Sequence, residues 1–229
     1  MNKVFKASKA SLVALTTIFG LSSTAQAGIF DFDPAEGNFY ASGFGGIVFP
    51  FDAELEGVDA DLDNAAYFGG AIGARLPFKY WKYFQPRLEL EVSRYNADFA
   101  GGDFGGLTGT GDQSATFFLI NNNSEIIWDE NQRIVPYFGG GIGFADYDTE
   151  VSFTDGALTE SASSSDTGFA TLSTLGANFK ATEQFDVYVE GRYLRTYGVN
   201  EDLEGDLGVV DVDGDPEGFT ITAGVRFNF

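Results

Sequence analysis

The densest run of potential ligands in this 229-residue chain is Asp211-Val212-Asp213-Gly214-Asp215-Pro216-Glu217, with a carboxylate at every second position and a glycine among them. Hard cations such as Ca²⁺ want several oxygen ligands, and alternating acids around a tight turn can supply them. The full calcium-loop pattern is missing. Asp211, Asp213, Asp215 and Glu217 therefore predict at most a weak Ca²⁺ site of about 10⁻⁴–10⁻³ M, and the commoner form of such a run is a solvated acidic hairpin. No other cofactor is expected. The chain contains no histidine, which removes the usual general base and the commonest metal ligand together. The remaining acids are too numerous and too scattered to single out a catalytic pair, so no catalytic residue is assigned and a non-enzymatic role is expected.

A second set of charges is spaced for pairing. Arg87, Glu89 and Glu91 alternate with Leu88, Leu90 and Val92, and Glu190 and Arg192 alternate with Val187, Val189 and Tyr193. A period of two puts the charged and the apolar sets on opposite faces of a strand. With Arg75 and Arg226 these make four positive and three negative groups.

The elements that must position them are strands. Thirty Gly, 24 Phe and 10 Tyr against a single Met favour sheet and turns over a helical bundle. Eight segments have strand character, at 38–49, 65–76, 85–98, 114–128, 134–147, 168–180, 184–197 and 218–229. Three connections are short (77–84, 129–133, 181–183) and four are long (50–64, 100–112, 148–167, 198–217). Lys3, Lys6 and Lys9 precede an apolar run from Leu12 to Leu21, and Ala25-Gln26-Ala27 resembles a cleavage site. Residues 1–27 thus read as a secretory signal peptide, leaving 28–229 as one domain. Cysteine is absent, so an exported chain of this size has to hold itself together without disulfides.

No later run approaches the roughly 20 apolar residues of a helical span. Membrane insertion would require a closed barrel, in which every backbone group is paired. The last segment fits one: Ile221, Ala223, Val225, Phe227 and Phe229 share one face, and Thr222, Arg226 and Asn228 the other. A charge facing lipid costs about 2–4 kcal/mol near the midplane. Arg75, Arg87, Glu89, Glu91, Glu190, Arg192 and Arg226 are therefore assigned to the interior, as a network of ion pairs. An eight-stranded barrel has an interior only just wide enough for its own side chains, so the network predicts a polar plug and not a pore.

Charge also sorts by connection. The windows 51–64, 98–114, 146–168 and 198–217 contain no Lys or Arg and hold about two-thirds of the 34 acidic residues. This keeps glycine-rich segments soluble. The first short turn, Phe78-Lys79-Tyr80-Trp81-Lys82-Tyr83-Phe84, has the composition of an interfacial girdle. Phe49, Phe51, Phe104 and Tyr147 are candidates for the opposite girdle. The near-repeats Tyr67-Phe68-Gly69-Gly70-Ala71-Ile72-Gly73 and Tyr137-Phe138-Gly139-Gly140-Gly141-Ile142-Gly143 are not followed by a helical pattern, so they do not read as phosphate loops. In a narrow sheet such glycines make room for bulky neighbours.

Taken together, the leader, eight strands, three short turns, four long connections and the final Val225-Arg226-Phe227-Asn228-Phe229 resemble the small eight-stranded outer-membrane β-barrels, including opacity-type proteins and the membrane domain of outer membrane protein A. Pro136–Gly143 and Tyr188–Tyr193 are similar to that family's fifth and seventh strands. The resemblance implies an all-β, antiparallel, up-and-down transmembrane barrel in the cell outer membrane, with short periplasmic turns and long acidic extracellular loops. It implies contact with lipid and lipopolysaccharide, no nucleic acid, and a monomer. It further implies that Phe229 is part of the signal read by the barrel-assembly machinery. A small porin and a soluble lipocalin-like carrier are the alternatives.

Overall fold

The computed structural model describes residues 39–229, apart from 52, 56–57, 61–62, 104–107, 130, 155–158 and 206–207. The signal-peptide reading of residues 1–27 lies outside the described residues. Eight antiparallel strands form one closed ring: β1 (Phe39–Pro50), β2 (Ala65–Arg75), β3 (Phe84–Asp103), β4 (Thr108–Ile126), β5 (Ile134–Thr154), β6 (Thr159–Lys180), β7 (Phe185–Tyr197) and β8 (Glu217–Asn228). Each strand pairs with its sequence neighbours. The ring closes where β1 meets β8, from Tyr40 opposite Asn228 to Pro50 opposite Gly218. No helix occurs among the described residues.

Alternation decides which side chains face out. On β8, Phe219, Ile221, Val225 and Phe227 are exposed, while Thr220, Thr222 and Arg226 are buried. The same rule around the ring produces an outward belt. Ile134, Phe179, Phe185 and Phe227 mark its edge at the short-turn end, and Phe68, Phe118, Phe144 and Phe169 mark the other. The stretch of β5 from Ile134 to Phe144 matches the roughly 9–11 residues that a tilted strand needs to cross the hydrocarbon core. A continuous apolar belt of this kind is far larger than the few hundred Å² that soluble monomers expose. It is the surface of a membrane-spanning barrel.

Most of the segments expected to be loops are strand instead. β3, β4, β5 and β6 run for 20, 19, 21 and 22 residues, well past the belt. Within 198–217, Val199–Gly205 and Gly208–Gly214 form a hairpin that joins the sheet where Glu204 pairs with Ser163. Ala53–Leu55 and Val58–Ala60 form another hairpin. Two antiparallel chains leaving one ladder keep pairing while their residues tolerate the extended state. The Ser, Thr and Val scattered among these acids do so.

Where β3 and β5 leave the belt, the polarity of their two faces inverts. Outward positions become Arg94, Asn96 and Asp98 on β3 and Asp146, Asp148 and Glu150 on β5. Inward positions become Tyr95, Ala97, Phe117, Ala145 and Tyr147, all buried. Inside the belt lipid takes the apolar face, whereas beyond it water takes the polar one. Tyr147 accordingly belongs to the interior, at 2% exposure, and not to the outer girdle. Phe51 is exposed at that rim, its ring 6.2 Å from Tyr193. Phe104 lies outside the described residues.

Candidate functional site

The lumen has two layers. Toward the long-connection end Val48, Phe117, Leu119, Leu172 and Leu194 make a filled apolar layer. Toward the short turns lies the charged layer. A plug of ion pairs that fills the core is therefore corrected to one whose ion pairs occupy the short-turn half, the other half being largely apolar with Gln113 bonded to Thr149 and Tyr147 to Thr196.

All seven residues assigned to the charged network are in it. The structure adds Glu125 on β4 and Asp186 on β7, both about 2% exposed. Four arginines then face five carboxylates, leaving one formal negative charge. Glu125 is the hub: its Oε2 lies 3.0 Å from Arg75 Nε, and its Oε1 lies 2.7 Å from Arg87 Nη1 and 3.7 Å from Arg226 Nη1. Arg75 closes the short-turn mouth, reaching Asp186 Oδ2 at 2.9 Å and donating to Asn228 Oδ1 at 2.7 Å. Glu89 sits 3.2 Å from Arg87 Nε and 3.7 Å from Arg226 Nη2. It also accepts from Tyr40 and from Asn123, each at 2.8 Å.

Arg192 does not pair chiefly with its strand neighbour. Its Nη2 lies 2.7 Å from both oxygens of Glu91, and its Nε is 4.0 Å from Glu190. Glu190 instead accepts from Tyr137 at 2.9 Å and from Thr222 at 3.3 Å. Glu91 also accepts from Asn121 at 2.8 Å and Ser93 at 2.9 Å.

Aromatic rings hold the guanidinium groups apart. Arg226 lies 4.6 Å from the Tyr40 ring centre and 5.1 Å from Tyr188, Arg87 4.6 Å from Tyr137, and Arg192 5.1 Å from Phe44. These rings lie against the barrel wall because the residue paired with each is glycine. Tyr188 faces Gly224 and Tyr40 faces Gly73, and a Cβ at either glycine would strike the ring. Gly69 and Gly73 of the first glycine repeat thus seat Phe44 and Tyr40, whereas Gly139 and Gly141 of the second make room for Asn123 and Asn121.

Two small cavities lie among the described residues. One cavity of about 10 Å³ sits between Glu89, Glu91, Asn121, Asn123, Arg192 and Arg226, and another of about 20 Å³ lies below the long-connection rim beside Tyr95, Phe117 and Pro216. Each is about the size that holds a single water. Of the candidate calcium ligands, Asp215 Oδ2 lies 3.1 Å from Arg195 Nη2, and Glu217 lies 3.7 Å from Arg195 Nη1 and accepts from the Tyr193 hydroxyl. The side chains of Asp211 and Asp213 are outside the described residues, and no cluster of three metal-ligating side chains occurs among the described ones.

Residues missed by sequence reasoning have a common signature. Asp186 shares the parity of Tyr188, Glu190 and Arg192, which could have revealed it. Asn121, Asn123 and Glu125 share a parity on β4, but the flanking Phe117-Phe118-Leu119-Ile120 and Asn121-Asn122-Asn123 runs hide the alternation.

The ring order and the belt agree with known structures. The outer membrane protease OmpT from Escherichia coli superposes with a TM-score of 0.51 over 84% of this chain and 94% of its own, at 12% identity. A major outer membrane protein from Thermus thermophilus gives 0.51 over 83% and 99%, at 11% identity. The fold is that of the small outer-membrane β-barrels. Neisserial surface protein A covers 83% of this chain and 97% of its own at 16% identity, with a TM-score of 0.45. No protein-family model matches the sequence, and no curated protein matches it. At these identities the likeness concerns the fold, and a function has to come from the barrel's own side chains.

Proposed function

We propose that this is a non-enzymatic integral outer-membrane barrel, with the short turns in the periplasm and the acidic extended hairpins at the cell surface. Its hairpins meet lipopolysaccharide and a surface partner, and its strands are inserted by the barrel-assembly machinery. The observation that carries this reading is the lumen filling among the described residues: a charged layer with interlocking partners, covered by a largely apolar layer, with two cavities of single-water size between them and the rim. A porin needs a continuous wet path. A soluble carrier needs a water-compatible exterior, and the belt is the opposite. A protease reading suggested by the likeness to OmpT has no histidine to work with.

The test is to refold the mature chain into planar bilayers and to compare gel migration before and after boiling. The reading expects a boiling-dependent shift, because a closed ring opens only as a whole, and no steady conductance. A large, stable, solute-permeable channel would establish the porin, and recovery in the soluble periplasmic fraction would establish the carrier.

A further inference from the structure

The turn between β2 and β3 is built in a conformation its residues resist. Tyr80 N donates to Phe84 O at 2.9 Å, Phe84 N to Tyr80 O at 3.2 Å, and Tyr83 N to Trp81 O at 2.8 Å. At the apex Trp81 and Lys82 stand at φ of 48° and 68°, and no other non-glycine residue among the described ones has positive φ. Such positions ordinarily go to glycine or asparagine, because a larger L-residue crowds its own carbonyl there. Strain held in a surface turn points to a task other than stability.

The bend folds the turn back over the outside of the barrel. The Tyr80 hydroxyl contacts Ser124, which pairs with the outward Phe138. The Tyr80 ring stacks on Phe84 at 5.5 Å, and Trp81 and Phe138 meet Phe84 edge-on at 6.1 and 5.9 Å. Phe138 belongs to the belt, so these rings carry its apolar surface into the turn, where Trp81 is 83% exposed. The same bend leaves donors free. The N–H groups of Trp81 and Lys82 take no part in the turn's hydrogen bonds, and successive free amides in a turn are anion ligands. Lys79 and Lys82 are exposed, and neither meets a carboxylate among the described residues.

We propose that this turn binds the phosphate of an anionic phospholipid in the leaflet on the short-turn side. Two backbone amides and two ammonium groups supply the hydrogen bonds and the charge that a phosphate takes. A free anion has no use for the apolar rings beside these donors, whereas a lipid presents phosphate and hydrocarbon in that order. The strained apex is what sets donors and rings next to each other. The site rests on the membrane-spanning reading.

Trp128→Phe leaves Trp81 as the one tryptophan and makes the test direct. That protein is refolded into phosphatidylcholine vesicles containing a minor share of phosphatidylglycerol with brominated chains, or the same share of brominated phosphatidylcholine. Trp81 quenching should be at least about fivefold stronger with the brominated phosphatidylglycerol, the effect of one lysine at an anionic surface. Adding Lys79→Gln and Lys82→Asn should abolish the difference. Asparagine tolerates the left-handed backbone, and the boiling-dependent gel shift retained in this variant proves folding. Equal quenching by the two lipids, or a preference that survives the double substitution, would overturn the site. Loss of the preference on adding excess inorganic phosphate would assign the donors to a soluble anion instead and overturn it too. Failure of the unmodified protein to insert at all would sink the membrane reading, and this site with it.

Discussion

Replacing Glu91 should destabilise the barrel more than replacing Glu190, although Glu190 is the acid nearer Arg192 in sequence. At 2.7 Å and an effective dielectric of about 20, the attraction between Arg192 and Glu91 is about 6 kcal/mol. At 4.0 Å the same arithmetic gives Glu190 about 4 kcal/mol. Much of either is offset by desolvation, but Arg192, at 1% exposure, cannot recover water when its partner goes. Glu91→Ala should therefore cost about 3–5 kcal/mol, the usual penalty for stranding a buried charge. Glu190→Ala removes the acceptor for Tyr137 and Thr222, leaves Arg192 with Glu91, and should cost about 1–3 kcal/mol. The Glu91→Leu, Arg192→Met double variant removes both charges and should recover most of the Glu91 loss. Urea unfolding of refolded protein in vesicles measures all three. Trp81 and Trp128, both exposed at the short-turn end, serve as reporters. A Glu91→Ala cost below about 1 kcal/mol, or a double variant no better than the single, would refute the dry, paired lumen on which the functional reading depends.

Other consequences can be measured on the same preparation. Gly224→Ala places a methyl against the Tyr188 ring and should cost about 1–3 kcal/mol by overpacking, whereas Gly43→Ala, with nothing within 4 Å, should stay within about 0.5 kcal/mol; equal urea midpoints would show that the rings do not need their glycine seats. Removing Phe229 deletes a backbone hydrogen bond to Phe39 and a ring contact with Phe227. It should cost about 1 kcal/mol in refolded protein yet sharply lower the amount assembled in cells, so normal insertion of the truncated chain would remove Phe229 from the assembly signal. Arg195 already occupies Asp215 and Glu217, so Arg195→Ala should tighten calorimetric Ca²⁺ binding from a starting value of about 10⁻³ M or weaker; identical heats from the two proteins would eliminate that site.

The strand count, the ring closure and the facing of β3, β7 and β8 were legible because those strands alternate cleanly. On β3, Arg87, Glu89 and Glu91 against Leu88, Leu90 and Val92 admit one assignment, and on β7 and β8 the same contrast recurs. On β4 it vanishes. Phe117-Phe118-Leu119-Ile120 reads apolar on both faces and Asn121-Asn122-Asn123 polar on both, so the run alone does not say that Asn121 faces in and Asn122 out. Pairing settles it, because Glu89 opposite Asn121 and Leu88 opposite Asn122 impose their facing on β4. Partner choice was hidden for a related reason. Arg192 and Glu190 share a face at adjacent inward positions, yet Glu91 reaches Arg192 from across the lumen, a contact set by ring geometry and not by sequence spacing. The long connections were misread as loops because acids and glycine signal solvent exposure, and a strand with water on its outer face carries the same residues.

The two lumen layers depend on each other. On β5 one unbroken alternation runs from Tyr137, Gly139 and Gly141 beside the ions to Ala145 and Tyr147 in the apolar layer, while the outward residues change from Phe138, Ile142 and Phe144 to Asp146 and Asp148. The pattern never shifts by a residue; only the solvent outside changes. The apolar layer therefore forms directly above the charged one and separates it from water at the long-connection end, while Arg75 with Glu125, Asp186 and Asn228 closes the opposite mouth. Excluding water lowers the local dielectric, which strengthens each ion pair and raises the cost of leaving any one unmade. A substitution that opens the apolar layer, such as Phe117→Ala, would thus weaken charge pairs it never touches, which couples the exterior hairpins to the membrane-embedded half through water alone.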